Sequence, residues 1–326
     1  MNWDNTPKHI RDVFCCPLCQ GELFRESITL VCVSCGTKFP FLDRKVSCFA
    51  PTYYTTPQAK TERVNSDKKI RQSFMYRKVH DRLSGIRTCL HRYYLRDEPF
   101  WEAQLAKFRD IEERVVVALL DQFLTFPVAL ALELGVGYRE KAKFYSQITK
   151  HVVCSDIFYD EKVAIRYASS SNMLYSVINV NQLPFLKNSF DLILTFHVVE
   201  HFPEKRKALK SIHNVLKPDG WACHVVPTTP IHVIRHLRSL ILNPLTLTPC
   251  ILGGVHGEYD SILEELTSNT INSWHALFTA NGFRVVADTP GKAFAMRPLS
   301  AATSQRIANA FRLYGSHVFL MRKQEE

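Results

Sequence analysis

The chain has 326 residues, 46% of them hydrophobic, and a formal net charge of +10 at pH 7. That composition gives room for one large domain and a small one, and it excludes a disordered or low-complexity chain. The N-terminus "MNWDNTPKHIRD" lacks an apolar core of signal-peptide length, and no later run reaches the about 18 to 20 uninterrupted apolar residues of a membrane span. A cytoplasmic protein is expected, in which the ten cysteines serve as metal ligands or buried thiols rather than disulfides.

Five of those cysteines fall between residues 15 and 35. Cys16-Pro17-Leu18-Cys19 and Cys32-Val33-Ser34-Cys35 make two C-x2-C knuckles twelve residues apart. Two such knuckles complete a tetrahedral four-thiolate zinc site, which leaves no open coordination position and is therefore structural. Cys15 competes with Cys16 for the first knuckle, the shorter spacing favours Cys16, and Gly36 suits the turn that follows. The stretch "CCPLCQGELFRESITLVCVSCGTKFPFLDRKVSCFAP" resembles the Trm112-like zinc ribbon. There the second knuckle is usually followed by "YPI.DGIP"; here Arg44 and Lys45 replace Gly-Ile. The resemblance implies a small module, residues 1–50, of a kind found alone as an activator of methyltransferases or fused to them, with a protein partner as one expectation.

A basic, helical connector is expected over 51–125. Between residues 60 and 96 it carries eleven Lys or Arg against three Asp or Glu. Such a surplus attracts phosphates, of RNA or of an anionic membrane surface, or is simply a solvated helical face. Phe74, Tyr76, Tyr93 and Tyr94 suit base stacking and helix packing equally.

From 126 to 326 strands and helices alternate. "VALALELG" is an apolar run ending at glycine, as a strand buried on both faces should be. Strands follow at "HVVCSD", "LYSVIN", "FDLILTF", "WACHVV", "FRVVADT" and "SHVFLMRK", with helices at "YREKAKFYSQITK", "EKRKALKSIHNVL" and "TINSWHALFTANG". This predicts a parallel α/β sheet with helices on both faces. An irregular, partly apolar insertion at about 228–268 follows the fifth strand, where it is placed to cover a substrate, since ligands of such sheets sit beyond the strands' carboxyl ends.

The turn "LELGVGYRE" has Gly135 and Gly137 but Glu140 in place of the third glycine of G-x-G-x-x-G. A carboxylate there repels a pyrophosphate, which argues against a dinucleotide. S-adenosylmethionine has no phosphate, and Glu133 is expected to face its positive groups. Here the chain resembles the class I S-adenosylmethionine-dependent methyltransferases of the type 11 branch, over roughly 128–290. "ELGVG" resembles their E-x-G-x-G motif, "NVNQLPFLKNSFDLILTFHVVEHF" their "DAExLPFxDxSFDxVxxxxVLEH", and "VLKPDG" their "LKPGG". The resemblance implies a Rossmann-like seven-stranded sheet binding S-adenosylmethionine through Glu133, Gly135, Val136, Gly137, Asp156, Ile157, Asn179, Val180 and Phe196. Asp156 takes the place of the ribose-binding acid, and Asn179 that of an aspartate contacting the adenine amino group.

His197-Val198-Val199-Glu200-His201 matches H-x-x-E-H, the inverted zinc-protease pattern, but it begins just after a buried strand and Pro203 follows at once, so one stable helix is not expected. Some O-methyltransferases hold a divalent metal at E-x-x-E-H in this position, and a second metal stays open. Methyl transfer to a hydroxyl needs a base, and His197 and His201 are the leading candidates, with His224 and His256 weaker ones. The expected acceptor is a small molecule or lipid-linked saccharide, with contact at the inner face of a membrane. RNA is the alternative, since zinc-headed rRNA guanine methyltransferases also begin with "CPLC". A non-catalytic scaffold, or a partner that activates another methyltransferase, is the rival from outside enzymology.

Overall fold

The computed structural model describes residues 3, 6–42, 46–50, 98–137, 141–168, 170, 172–233, 259–293 and 301–324. The expectations for the basic stretch 60–96, for Glu140 and His256, and for most of the insertion lie outside these residues.

After a short helix α1 (Lys8–Arg11), the N-terminal strands β1 (Leu23–Glu26), β2 (Thr29–Cys32), β3 (Lys38–Leu42) and β4 (Val46–Cys48) form an antiparallel meander. Helix α2 (Glu98–Leu120) leads into β5 (Val128–Leu134), α3 (Ala142–Ile148), β6 (Thr149–Asp156), α4 (Glu161–Ala168), β7 (Met173–Val177) and β8 (Phe190–Phe196). Then come α5 (Lys205–Val215), β9 (Leu216–Pro227), α6 (Ile262–Ser268), α7 (Ile271–Thr279), β10 (Phe283–Pro290), α8 (Ala301–Phe311) and β11 (Ser316–Lys323). Among the described residues these strands form one sheet in the order β1-β2-β3-β4-β7-β6-β5-β8-β9-β11-β10.

The segment β7-β6-β5-β8-β9 is parallel, and its strands are buried on both faces. In β5 the apolar run alternates sides: Leu130, Leu132 and Leu134 join one core and Ala131 the other. An apolar run without polar alternation is what two-sided burial requires. Helix α5 covers one face with Ala208, Leu209, Ile212 and Val215, a stripe at helical spacing. β11 departs from the parallel arrangement, lying antiparallel to both β9 and β10. It pairs back antiparallel on β10 after helix α8.

The N-terminal ribbon continues the large sheet. β4 pairs parallel with β7 (Ser47↔Ser176, Cys48↔Val177), and Cys15 N–H donates to Pro184 O at 3.0 Å. Trp3, Phe14, Phe41, Phe49 and Phe185 fill the seam, with Phe14 and Phe185 edge to face at 4.7 Å between centroids. Aromatic pairs of this geometry contribute about 0.5–1.5 kcal/mol beyond area burial, so the ribbon and the parallel sheet share one core.

The carboxyl end of α2 is anchored by Val116, Leu119 and Leu120, while Phe108 packs with Ala301 and Ala308 of α8. Helix α2 therefore packs against the large sheet and against α8. Beyond β9, His232 Nδ1 stands 2.7 Å from Glu265 Oε1, both buried, which ties the start of the insertion to α6.

Candidate active site

The β5 strand ends in a turn that only glycine accommodates easily. Gly135 (φ 74°) and Gly137 (φ 55°) are both left-handed. Gly135 and Val136 donate their N–H groups to Ser155 O at 2.7 and 3.0 Å, which fastens the turn to β6. A Cβ on Gly135 would lie 2.3 Å from Val198 Cγ2, so the backbone here also passes tight against the loop after β8. Asp156, closing β6, accepts from Gly137 N (3.0 Å) and Phe158 N (3.1 Å). One carboxylate thus holds the glycine turn and faces the space beside it.

That space is a cavity of about 590 Å³ at the carboxyl ends of β5, β6 and β8, within the range of small-molecule sites. Gly135, Val136, Gly137, Asp156, Ile157, Asn179, Val180, Phe196, His197 and His201 all line it. Asn179 Oδ1 caps the 3-10 turn Val180–Gln182 by accepting from Asn181 N at 3.0 Å. Its carbonyl oxygen is partly committed to the protein, with a second lone pair remaining.

Glu133 behaves otherwise than expected. It does not line the cavity; it points to the opposite core, fully buried, where Lys141 and Tyr145 donate to its two carboxylate oxygens. The strand alternation that turns Leu132 and Leu134 one way turns residue 133 the other, and a carboxylate buried there needs such partners. Lys141 takes its place on the wall, with its ammonium 3.6 Å from the centroid of the Phe196 ring.

His197 follows β8 in a left-handed conformation (φ 55°), its N–H donated to Val225 O at 2.8 Å. Its Nε2 lies 2.9 Å from Glu112 Oε1 of α2 and 3.1 Å from Lys292 Nζ. Lys292 donates to Glu112 Oε2 at 2.8 Å and Ser316 Oγ to Glu112 Oε1 at 2.8 Å. Burial alone would push the Glu112 carboxyl up, but His197 and Lys292 beside it outweigh this and hold it well below the usual carboxylate range. Sequence reading found neither Glu112 nor Lys292, because each is far along the chain and sits in no motif. Arg109, one turn earlier on α2, also lines the cavity.

The H-x-x-E-H residues do not share a helix: His197 follows a strand, and Val199–His201 is a single 3-10 turn. Glu200 is buried, its carboxyl raised to about 8 by desolvation, and lies 3.9 Å from His201 Nε2. With an ammonium 3.1 Å from His197 Nε2, these three side chains do not form the ligand set of an inverted zinc protease. His224 is fully buried in β9, Nδ1 bonded to Thr195 Oγ1 at 2.8 Å, and burial lowers it to about 3. It cannot reach the cavity and carries no acid–base role there. A second, more open cavity of about 650 Å³ lies past the end of β9, lined by Thr228, Asn269, Arg312, Tyr314 and His317 among others.

In the ribbon, the thiols of Cys16, Cys19, Cys32 and Cys35 lie within 4.8 Å of one another, with Cys16–Cys35 at 3.7 Å and Cys19–Cys32 at 3.4 Å. Four sulfurs about 2.3 Å from one tetrahedral ion would be roughly 3.8 Å apart, so this donor set fits zinc closely. Gly36 takes the left-handed turn (φ 69°) after the second knuckle. Cys15 is excluded from the cluster: its thiol is buried and donates to Gln20 Oε1 at 3.4 Å. Cys48, Cys154 and Cys223 are buried thiols. Among the described residues no helix is long and apolar enough to cross a membrane.

A parallel sheet completed by an antiparallel β11 between β9 and β10, a glycine turn after β5 and an acid closing β6 define a class I methyltransferase fold, here preceded by a small ribbon whose four cysteines could hold a metal ion. Residues 132–224 match the type 11 family model described as a methyltransferase domain. The chain is 31% identical over 114 residues to the zebrafish (Danio rerio) mitochondrial arginine-hydroxylase NDUFAF5, covering 34% of each chain. It is 26% identical over 162 residues to the uncharacterized Bacillus subtilis methyltransferase YcgJ, covering 46% of this chain and 55% of that one. It thus spans about a third and about half of these relatives' lengths. Among solved structures, a complex of the Haloferax volcanii Trm112 methyltransferase activator with a putative methyltransferase is similar in fold, with TM-score 0.50 and 13% identity over 69% of this chain and 95% of that one.

Proposed function

We propose that the protein transfers a methyl group from S-adenosylmethionine to a hydroxyl of a small-molecule or lipid-linked saccharide acceptor. The observation that carries this is the cavity itself, where the left-handed glycine turn, Asp156 and Asn179 line one wall and His197 and His201 another. In this reading Asp156 accepts from ribose hydroxyls and Asn179 and Val180 contact the adenine; Phe196 and Lys141 also line the cavity. The cofactor, when bound, supplies an electrophilic methyl group on a positively charged sulfur. The chain's own residues orient the partners, keep water out and take the acceptor's proton, and alignment supplies much of the rate. His197 and His201 are the groups within the cavity suited to that proton transfer near neutral pH.

The cavity past β9 is the candidate acceptor side, since it opens on the same end of the sheet, beside the insertion. We propose further that the ribbon supports the methyltransferase domain in cis through the β4–β7 pairing, a role suggested by the activator complex that shares the fold. Titration calorimetry with S-adenosylmethionine tests the central claim. Binding that is weakened at least tenfold by Asp156→Ala is expected, and no binding, or binding indifferent to that change, overturns it. A labelled-methyl assay against fractionated lipid, small-metabolite and RNA pools then identifies the acceptor, and transfer to RNA alone would replace the saccharide reading.

A further inference from the structure

Helix α2 lies outside residues 132–224, which match the methyltransferase model, yet it brings a cation to the cavity wall. Arg109 lines the cavity and is exposed there, three residues before Glu112. Residues at that spacing share a helix face, and Glu112 Oε1 lies 2.9 Å from His197 Nε2, just after β8. This places Arg109 toward the β8 end of the cavity. Lys292 Nζ and Ser316 Oγ, each 2.8 Å from a Glu112 carboxylate oxygen, fasten this part of α2 to the segment after β10 and to the start of β11.

The polar groups of the wall fall in a fixed order. Because β7, β6, β5 and β8 are successive neighbours in the sheet, Asn179 after β7, Asp156 closing β6, the Gly135–Gly137 turn after β5 and His197 after β8 follow one another along the strand ends. They span three inter-strand steps of about 4.8 Å each. S-adenosylmethionine is built in a matching order, from adenine through ribose and sulfonium to an amino acid. With adenine at Asn179 and ribose at Asp156, its α-carboxylate comes to the β8 end, where a cation has to meet it. Two Lys or Arg side chains are among the described residues of the wall. Lys141 is committed: its side chain is 1% exposed, and it donates to Glu133 in the opposite core. Asp156, the one carboxylate among the described lining residues, stands two strands away from β8. We infer that Arg109 binds the cofactor's α-carboxylate, so that the connector helix completes a site whose other parts come from the sheet. The inference rests on the cofactor reading given above. Arg109 also interacts within the protein, so cofactor binding is an exchange of partners and not the capture of a free cation. A guanidinium suits that exchange because its planar fork meets a carboxylate with two parallel N–H donors.

Titration calorimetry of the full chain tests this with two ligands that differ by the carboxylate alone, S-adenosylmethionine and decarboxylated S-adenosylmethionine. The wild type is expected to prefer the first. Arg109→Gln should weaken it about ten- to a hundredfold, the range of a charge-assisted hydrogen bond, and change the affinity for the second by less than about threefold. Arg109→Lys should recover part of the loss, since it keeps the charge without the fork. Equal weakening of both ligands, or of neither, overturns the proposal. Should Arg109→Gln fail to fold, Arg109→Lys carries the same comparison, its loss confined to the carboxylated ligand. A wild type that binds both ligands equally overturns the role of Arg109 alone, whereas one that binds neither overturns the cofactor reading itself.

Discussion

Ser47 of the N-terminal ribbon and Ser176 of β7, 129 residues apart, share a hydrogen bond between buried hydroxyls at 2.8 Å, and Ser176 Oγ also reaches Ser47 O at 2.9 Å. The two residues are directly opposite in the parallel β4–β7 register, so the bond marks where the cysteine-bearing ribbon becomes the edge of an α/β sheet. Ser176→Ala strands the Ser47 hydroxyl in a dry seam, whereas Ser47→Ala leaves Ser176 Oγ its bond to Ser47 O. Ser176→Ala is expected to cost about 1–3 kcal/mol, Ser47→Ala less, and the double alanine variant less than their sum. Urea denaturation followed by tryptophan fluorescence measures all four corners. Strict additivity would mean that the seam does not couple the two serines.

The glycine turn offers a contrast between two substitutions. At Gly135 a Cβ meets Val198 at 2.3 Å on top of a left-handed backbone, whereas at Gly137 nothing lies within 4 Å and only the backbone strain remains. Gly135→Ala is expected to abolish S-adenosylmethionine binding measured by calorimetry. Gly137→Ala should lower stability by about 1–2 kcal/mol while the fold persists. Equal behaviour of the two would show that the Val198 contact does not matter.

The four-thiolate cluster predicts about one zinc ion per chain by mass spectrometry of the intact protein. Chelation, or Cys16→Ser, should remove it and lower the melting temperature, because binding free energy at such a site is folding free energy. The ribbon contributes Phe14, Phe41 and Phe49 to the shared core, so the loss should extend to the parallel sheet. Cys15→Ser, outside the cluster, should leave zinc content unchanged.

Two buried groups give opposite pH dependences. Burial raises Glu200 from 4.5 to about 8, so the folded state holds its proton more tightly than the unfolded chain. The stability this confers is complete below about pH 4.5 and is lost progressively as pH rises through 8, at about 1.4 kcal/mol per unit at most. Burial lowers His224 from 6.5 to about 3, so stability from this group is present above 6.5 and lost as pH falls toward 3. Glu200→Gln should flatten the alkaline side of the stability profile, and His224→Gln the acid side, in denaturant melts taken from pH 4 to 9. A profile unaltered by either change would place these groups in water.

Much of this protein was legible in its sequence because the signals are local. Knuckle spacing brought Cys16, Cys19, Cys32 and Cys35 together, since two short loops suffice to present four thiolates. Apolar runs ending at Gly135 and Asp156 marked strand ends, and ligands of a parallel sheet gather where those ends lie. What sequence could not decide depends on which way a side chain faces and on what distant residue it meets. Glu133 turned to the opposite core because strand alternation and the demand for partners outweighed the attraction of a cofactor's charge. The continuity of the ribbon with the large sheet depends on β4 finding the open edge of β7, a pairing no periodicity encodes. Glu112 and Lys292, 180 residues apart, acquire their meaning beside His197 only when α2, β8 and β11 are packed, because a buried charge is defined by its neighbours and not by its place in the chain.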